Sequence, residues 1–72
     1  MNLLEYWNSL LNEGEITEST PIYLLNSKGK TIAYYDGKNS IDEKYNTYTI
    51  EHCLVWNRDD NGIAQLVELY TA

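Results

Sequence analysis

The sequence predicts an α+β domain: an N-terminal amphipathic helix packed on a four-stranded antiparallel β-meander, in the order α-β-β-β-β. Three observations carry this expectation. Apolar residues recur at helical spacing near the N-terminus. Further along, apolar residues alternate with polar ones, which is strand periodicity. Between the apolar runs stand Gly- and Asn-containing turns. The chain of 72 residues has room for one small domain, residues 1–72.

Residues 2–13 read as the helix. Leu3, Leu4, Trp7, Leu10 and Leu11 fall on one stripe. Asn2 followed by Glu5 has capping-box spacing, and Gly14 suits the position after the last turn. Trp7 is expected to anchor the buried face. "GEITESTP" is then a connection, because Pro21 cannot lie inside a central strand.

"IYLLN" (22–26) and "KTIAYYD" (30–36) read as a hairpin around "NSKG", with Gly29 taking the positive φ. Loops of two or three residues both fit it. Both of its faces are apolar: Ile22, Leu24 and Ala33 on one, with Tyr23, Leu25, Ile32 and Tyr34 on the other or nearby. Either the sheet curls to bury both sides, or one is left open as a contact surface.

"DGKNSIDEK" (36–44) is polar. It reads as a plain loop or as one helical turn capped by Ser40 and Glu43. "YNTYTIEHCLVWN" (45–57) is the longest strand expected, and "IAQLVELY" (63–70) is the last.

Eleven acidic residues against five basic ones leave a net charge of −6. A nucleic-acid binder needs basic residues to displace counterions from phosphates. Lys28, Lys30, Lys38, Lys44 and Arg58 are scattered, so direct nucleic-acid binding is not expected. No apolar run approaches the roughly 18 residues of a membrane span, so no membrane partner is expected. Nothing at the N-terminus resembles a signal peptide, and the lone Cys53 forms no internal disulfide; both suit the cytoplasm. Without disulfides, apolar burial barely offsets an ordering cost of about 1.5 kcal/mol per residue. A partner chain, identical or foreign, is therefore expected.

The sharpest motif is "NRDDNGIAQLVE", Asn57 to Glu68. Asn57, Asp59, Asn61, Gly62 and Glu68 have the spacing of an EF-hand calcium loop. Such a loop needs a helix on each side. Here the entering segment is strand-like, and there is no length for an exit helix. A hairpin accounts for more, with a two-residue loop at Asn61-Gly62 or a four-residue loop at 59–62. Both registers keep Leu54 and Trp56 on the face of Val67. Either way Glu68 lies roughly 7 to 13 Å along the ladder from Asn57, at ~3.3 Å per residue. Calcium bonds of about 2.3–2.6 Å cannot join them. No metal or other cofactor is expected.

Catalysis is not expected either. His52, the one histidine, neighbours Cys53 in sequence, but adjacent strand residues face opposite ways. His52 should share a face with Ile50 and Leu54. No Ser lies in a Gly-x-Ser-x-Gly elbow, and the four glycines fall one to a turn. The carboxylate pairs Asp42-Glu43 and Asp59-Asp60 fall at loop tips open to water, whereas a general acid needs burial.

What remains is a small acidic protein-binding module, an inhibitor or adaptor docking a basic surface of a partner protein. By size and charge it is analogous to accessory factors of phages and other mobile elements. A sharper version is nucleic-acid mimicry, with carboxylates standing in for phosphates. The alternative is a structural homo-oligomer or assembly subunit that uses an open sheet face or edge strand. Seven Tyr and two Trp with no Phe suit interfaces, since these rings combine an apolar body with a polar tip. The residues expected at a contact are Asp42, Glu43, Asp59 and Asp60, with Tyr23 and Tyr35.

Overall fold

The computed structural model of the chain describes residues 1–36 and 41–72. Ser40 and its expected cap therefore lie outside the described residues. Helix α1 spans Leu3–Asn12. The Asn2 carboxamide oxygen accepts from the Glu5 N–H at 2.9 Å, and Glu5 Oε1 accepts from the Asn2 N–H at 3.0 Å. This reciprocal box satisfies two donors left free at a helix start. Gly14, at φ 73°, ends the helix in the left-handed region that glycine enters without steric cost. Leu3 and Leu10 are the buried residues of the stripe, and Leu4 faces outward. Trp7 is half-buried and meets the Tyr35 ring edge-on at 5.2 Å.

Four strands follow: β1 Ile22–Leu25, β2 Thr31–Tyr35, β3 Ile50–Arg58 and β4 Ala64–Thr71. Their order across the sheet is β2-β1-β4-β3. The two hairpins are antiparallel, but β1 and β4 lie side by side and parallel. The sheet is thus mixed, and this corrects the expected antiparallel meander. The physical reason is burial. A meander would put β1 and β4 at the edges and the more exposed β2 and β3 in the centre. Leu24, Val67 and Leu69 are fully buried, so the strands that carry them take the centre. The connection from Tyr35 to Ile50 is too long to be a tight hairpin turn, so its length does not force β2 and β3 together.

The inner face carries the core. Ile22 and Leu24 from β1 and Val67 and Leu69 from β4 meet Leu3 and Leu10 of α1, with Ile16, Ile50 and Ala64. Ile16 belongs to a segment that reads as a polar connection. The chain returns from β2 to β3 on the same side: Ile41 and Tyr45 pack on this core. A short 3-10 turn, Glu43–Tyr45, is capped by Asp42, whose carboxylate accepts from the Lys44 N–H at 3.0 Å. The returning chain is then tied to the helix start, with Leu3 N–H donating to the Tyr48 carbonyl and Ile50 N–H to that of Met1. Helix and return segment together cover one face of the sheet.

The first hairpin has the expected turn. Gly29 stands at φ 81°, and the Asn26 side chain accepts from the N–H groups of Lys28 and Lys30. Its register pairs Ile22 with Tyr35, Tyr23 with Tyr34 and Leu24 with Ala33, then shifts so that Leu25 meets Thr31. Ile32 is the extra residue at that bulge and packs against the core.

The last hairpin follows neither expected register. Trp56 lies opposite Leu66 and Leu54 opposite Glu68. Asp59 sets this: its carboxylate accepts from the N–H groups of Asn61 at 2.8 Å and Ile63 at 2.9 Å. The backbone N–H of Asp59 donates to the Ile63 carbonyl, leaving three residues in the loop. A one-residue change of register moves a strand's side chains to the other face. Leu54 and Trp56 therefore stand on the side away from the helix. The expected strand start at residue 45 is also corrected, because the 3-10 turn occupies that stretch and β3 begins at Ile50.

Candidate functional site: the outer face of the sheet

Strand alternation and register define the side away from the helix. One rung crosses all four strands as Tyr34, Tyr23, Glu68 and Leu54. The next brings together Leu25, Tyr70 and His52, and on the other side Leu66 faces Trp56. None of these residues belongs to the core cluster or packs against it. Trp56 is 50 % exposed, Leu54 38 % and Tyr34 37 %; Leu25 alone of the set is buried. Large apolar side chains gathered on one open surface mark contact sites more often than single exposed ones do.

The rings are held in place. Tyr23 and Tyr34 stack edge-to-face with centroids 4.7 Å apart, and His52 lies 5.6 Å from Tyr70. The Trp56 indole N–H donates to Glu68 Oε1 across the β3–β4 pair. The Tyr34 hydroxyl donates to Asp36 at 3.1 Å. Desolvation at the sheet surface, and then that carboxylate, raise the Tyr34 hydroxyl above the usual phenol value. These bonds fix the polar tips of Trp56 and Tyr34 at the edge of the patch.

Two backbone irregularities bound the patch. A register shift between Ile50 and His52 turns Ile50 into the core and leaves His52 outside with Leu54. The expectation that His52 shares a face with Ile50 is corrected by that shift. At the other end Asn57 adopts φ 57°, a left-handed conformation that Asn tolerates better than most residues. Beyond it Arg58 leaves the outer face. Its guanidinium donates to the Gly62 carbonyl at 2.9 Å and pairs with Glu15 at 3.0 Å.

The six residues expected at a contact are not brought together. Tyr23 stands on the outer face. Tyr35 is on the inner face against Trp7, its hydroxyl donating to the Glu18 carbonyl. Asp59 closes the β3–β4 loop, with Asp60 exposed beside it. Asp42 caps the 3-10 turn and Glu43 begins it. In the calcium-like stretch, Asp59 binds turn N–H groups while Glu68 binds Trp56 in mid-sheet. Among the described residues no group of three or more His, Cys, Asp or Glu side chains could hold a metal ion.

Cys53 and His52 face opposite ways, with Cys53 packed on the core. Burial pushes the Cys53 thiol up, and the neighbouring Tyr6 hydroxyl offsets part of the rise. Tyr6 is raised too, by burial first and then by Cys53. The pocket under the helix is small, about 100 Å³, and lined by Leu3, Trp7, Ile22, Tyr35, Ile41 and Asn46. Ligand pockets more often hold about 300–1,000 Å³.

The sequence reading allowed an open face on the first hairpin and named Tyr23, but it put Leu54 and Trp56 on the wrong side because the last hairpin's register was misplaced. The available signal was β4 itself, where Leu66 and Tyr70 form one apolar set and Val67 and Leu69 another. A strand apolar on both sides with one Glu among the outer residues points to a second contact surface. The chain finds no significant match among protein-family models, curated proteins or solved structures.

Proposed function

We propose that the chain is a small acidic protein-binding module, an inhibitor or adaptor, that docks a partner protein through the outer face of its sheet. The observation that carries this reading is the uncovered aromatic surface around Trp56, Leu54, Tyr34, Tyr23 and Tyr70. Aromatic side chains supply contact area at low conformational cost and are enriched at interfaces. The partner surface is apolar with basic residues. Charge complementarity supports that choice: the net charge is −6, Glu68 stands within the face and Asp36 beside Tyr34. Among the described residues Lys28 and Lys30 belong to the β1–β2 turn, Arg58 pairs with Glu15, and Lys44 lies over the Tyr45 ring. None of these cations joins the rungs of the outer face.

Nucleic-acid mimicry has less support. Glu5, Asp42 and Asp59 cap local backbone N–H groups, and Glu15 is paired. Self-association through this face or an edge strand is the second reading, and the nine-residue strand β3 at the sheet edge favours pairing along that edge.

Affinity capture from the native host, using the wild-type chain and a Leu54→Ser/Trp56→Ser variant, tests the proposal. A partner held by the wild type should be lost by that variant and kept by Asp59→Ala/Asp60→Ala. Binding must then be reproduced with the purified partner and weaken as salt rises. Equal binding by the face variant removes the outer face. Sedimentation that gives a dimer, dissociated by the same two substitutions, moves the reading to self-association.

A further inference from the structure

We infer that Glu68, with Trp56, Tyr23 and Tyr70 around it, receives a single arginine side chain from the docked protein. This rests on the docking face proposed above and names its central contact. Glu68 lies on central strand β4, between Tyr23 on β1 and Leu54 on β3. Glu68 as a residue is partly buried on an otherwise largely apolar face, and its bond to Trp56 lies at the surface. A carboxylate standing among rings on an apolar surface gains from a fixed positive partner that is held against both. Glu68 has no such partner among the described residues. Oε1 accepts from the Trp56 indole, and among the described residues no other hydrogen bond reaches the carboxylate. The single arginine of the sequence, Arg58, is turned away to Glu15.

The neighbours select the ligand. Trp56 presents a ring that is half exposed, tethered by its own N–H to the carboxylate. Tyr23 is directly across from Glu68, and Tyr70 is two residues along the same strand. A planar guanidinium stacks on such rings and donates in-plane to a carboxylate at the same time. An ammonium group makes one of these contacts well but not both. Arginine is therefore the preferred occupant, lysine the weaker one, and a neutral isostere should fail.

The test uses the full ¹⁵N-labelled chain and the tripeptide acetyl-Gly-Arg-Gly-amide. It is titrated to about 50 mM, past the millimolar Kd expected of one side chain. The two indole N–H resonances are assigned with Trp56→Phe. A saturable shift of the Trp56 indole and of the Tyr23 and Tyr70 rings is expected, with the Trp7 indole unmoved. The citrulline peptide should bind at least about tenfold more weakly, as should the arginine peptide to Glu68→Gln. No saturable shift by 50 mM, or equal binding of the citrulline peptide to the wild type, overturns the inference. The citrulline comparison needs no variant, so it does not depend on how Glu68→Gln folds. If Glu68→Gln still captures a protein that Leu54→Ser/Trp56→Ser loses, the docking face stands and the arginine receptor falls.

Discussion

The centre of the sheet's inner face is aliphatic: Ile22, Leu24, Val67 and Leu69 interlock beneath the helix and are fully buried or nearly so, with Tyr35 beside them on β2. The outer face is built from the residues between them, and there Tyr23, Glu68 and Tyr70 meet Tyr34, Leu54 and Trp56. The same strands thus carry two different chemistries one residue out of phase. Aliphatic side chains fill an interior because they pack densely and bring no polar atom that must be satisfied. Tyr and Trp serve badly there unless their tips find partners. On the outer face each tip can reach a carboxylate or water. The faces therefore divide the work, with stability on the inside and contact on the outside.

The sharpest way to break that division is to truncate one leucine on each side. Leu69→Ala should cost about 2–5 kcal/mol through lost transfer energy and a residual cavity. That approaches the whole stability of a domain this small, roughly 0.05–0.15 kcal/mol per residue. Leu54→Ala, on the exposed side, should cost about 1 kcal/mol or less. Urea unfolding of the two variants measures both, and equal losses would mean that the outer face is part of the core. Removing one hydroxyl from adjacent residues sharpens the comparison at a smaller scale. Tyr35→Phe strips the inner-face hydroxyl from the Glu18 carbonyl and should cost about 1 kcal/mol. Tyr34→Phe loses only an exposed bond to Asp36 and should fall within about 0.5 kcal/mol of wild type.

Alkaline pH gives the smallest effect. Cys53, on the inner side, is raised by burial above its ordinary value of 9.0. The unfolded chain ionises this thiol first. The stabilisation is therefore complete below about pH 9 and drains away as pH rises through the higher folded value. Tyr6 acts with the same sign from 10.0 upward. The melting temperature should fall across that range, and Cys53→Ala should flatten the early part of the fall. An unchanged slope would place the thiol in water.

Local chemistry was readable in the sequence, and long-range pairing was not. The Asn2–Glu5 box, Gly14 and the turn at Gly29 depend on neighbours in the chain, and each stands where the residues indicate. The faces of Ile22, Leu24 and Ala33 followed from period two. Strand order did not follow, because the β1–β4 contact is chosen by competition for the buried centre and has no local signature. The last register turned on one carboxylate. Asn61-Gly62 marks a turn, but Asp59 decides its length by accepting from both Asn61 and Ile63. That one-residue difference hid the candidate site, since it exchanges the faces on which Leu54 and Trp56 stand.

The parallel seam has a consequence for how the molecule is made. Each hairpin closes over a short loop, and such elements form in about 1–10 μs. The seam joins residue 22 to residue 67 and cannot begin until the chain has been made that far. During synthesis the first hairpin emerges with the aliphatic side of β1 bare and waits for a strand still inside the ribosome. Long-range pairing of this kind is the slow step of folding. Refolding in a tube, where β4 is present from the start, should therefore be faster than folding coupled to translation. A chaperone would find the nascent chain most exposed just before Val67 and Leu69 arrive.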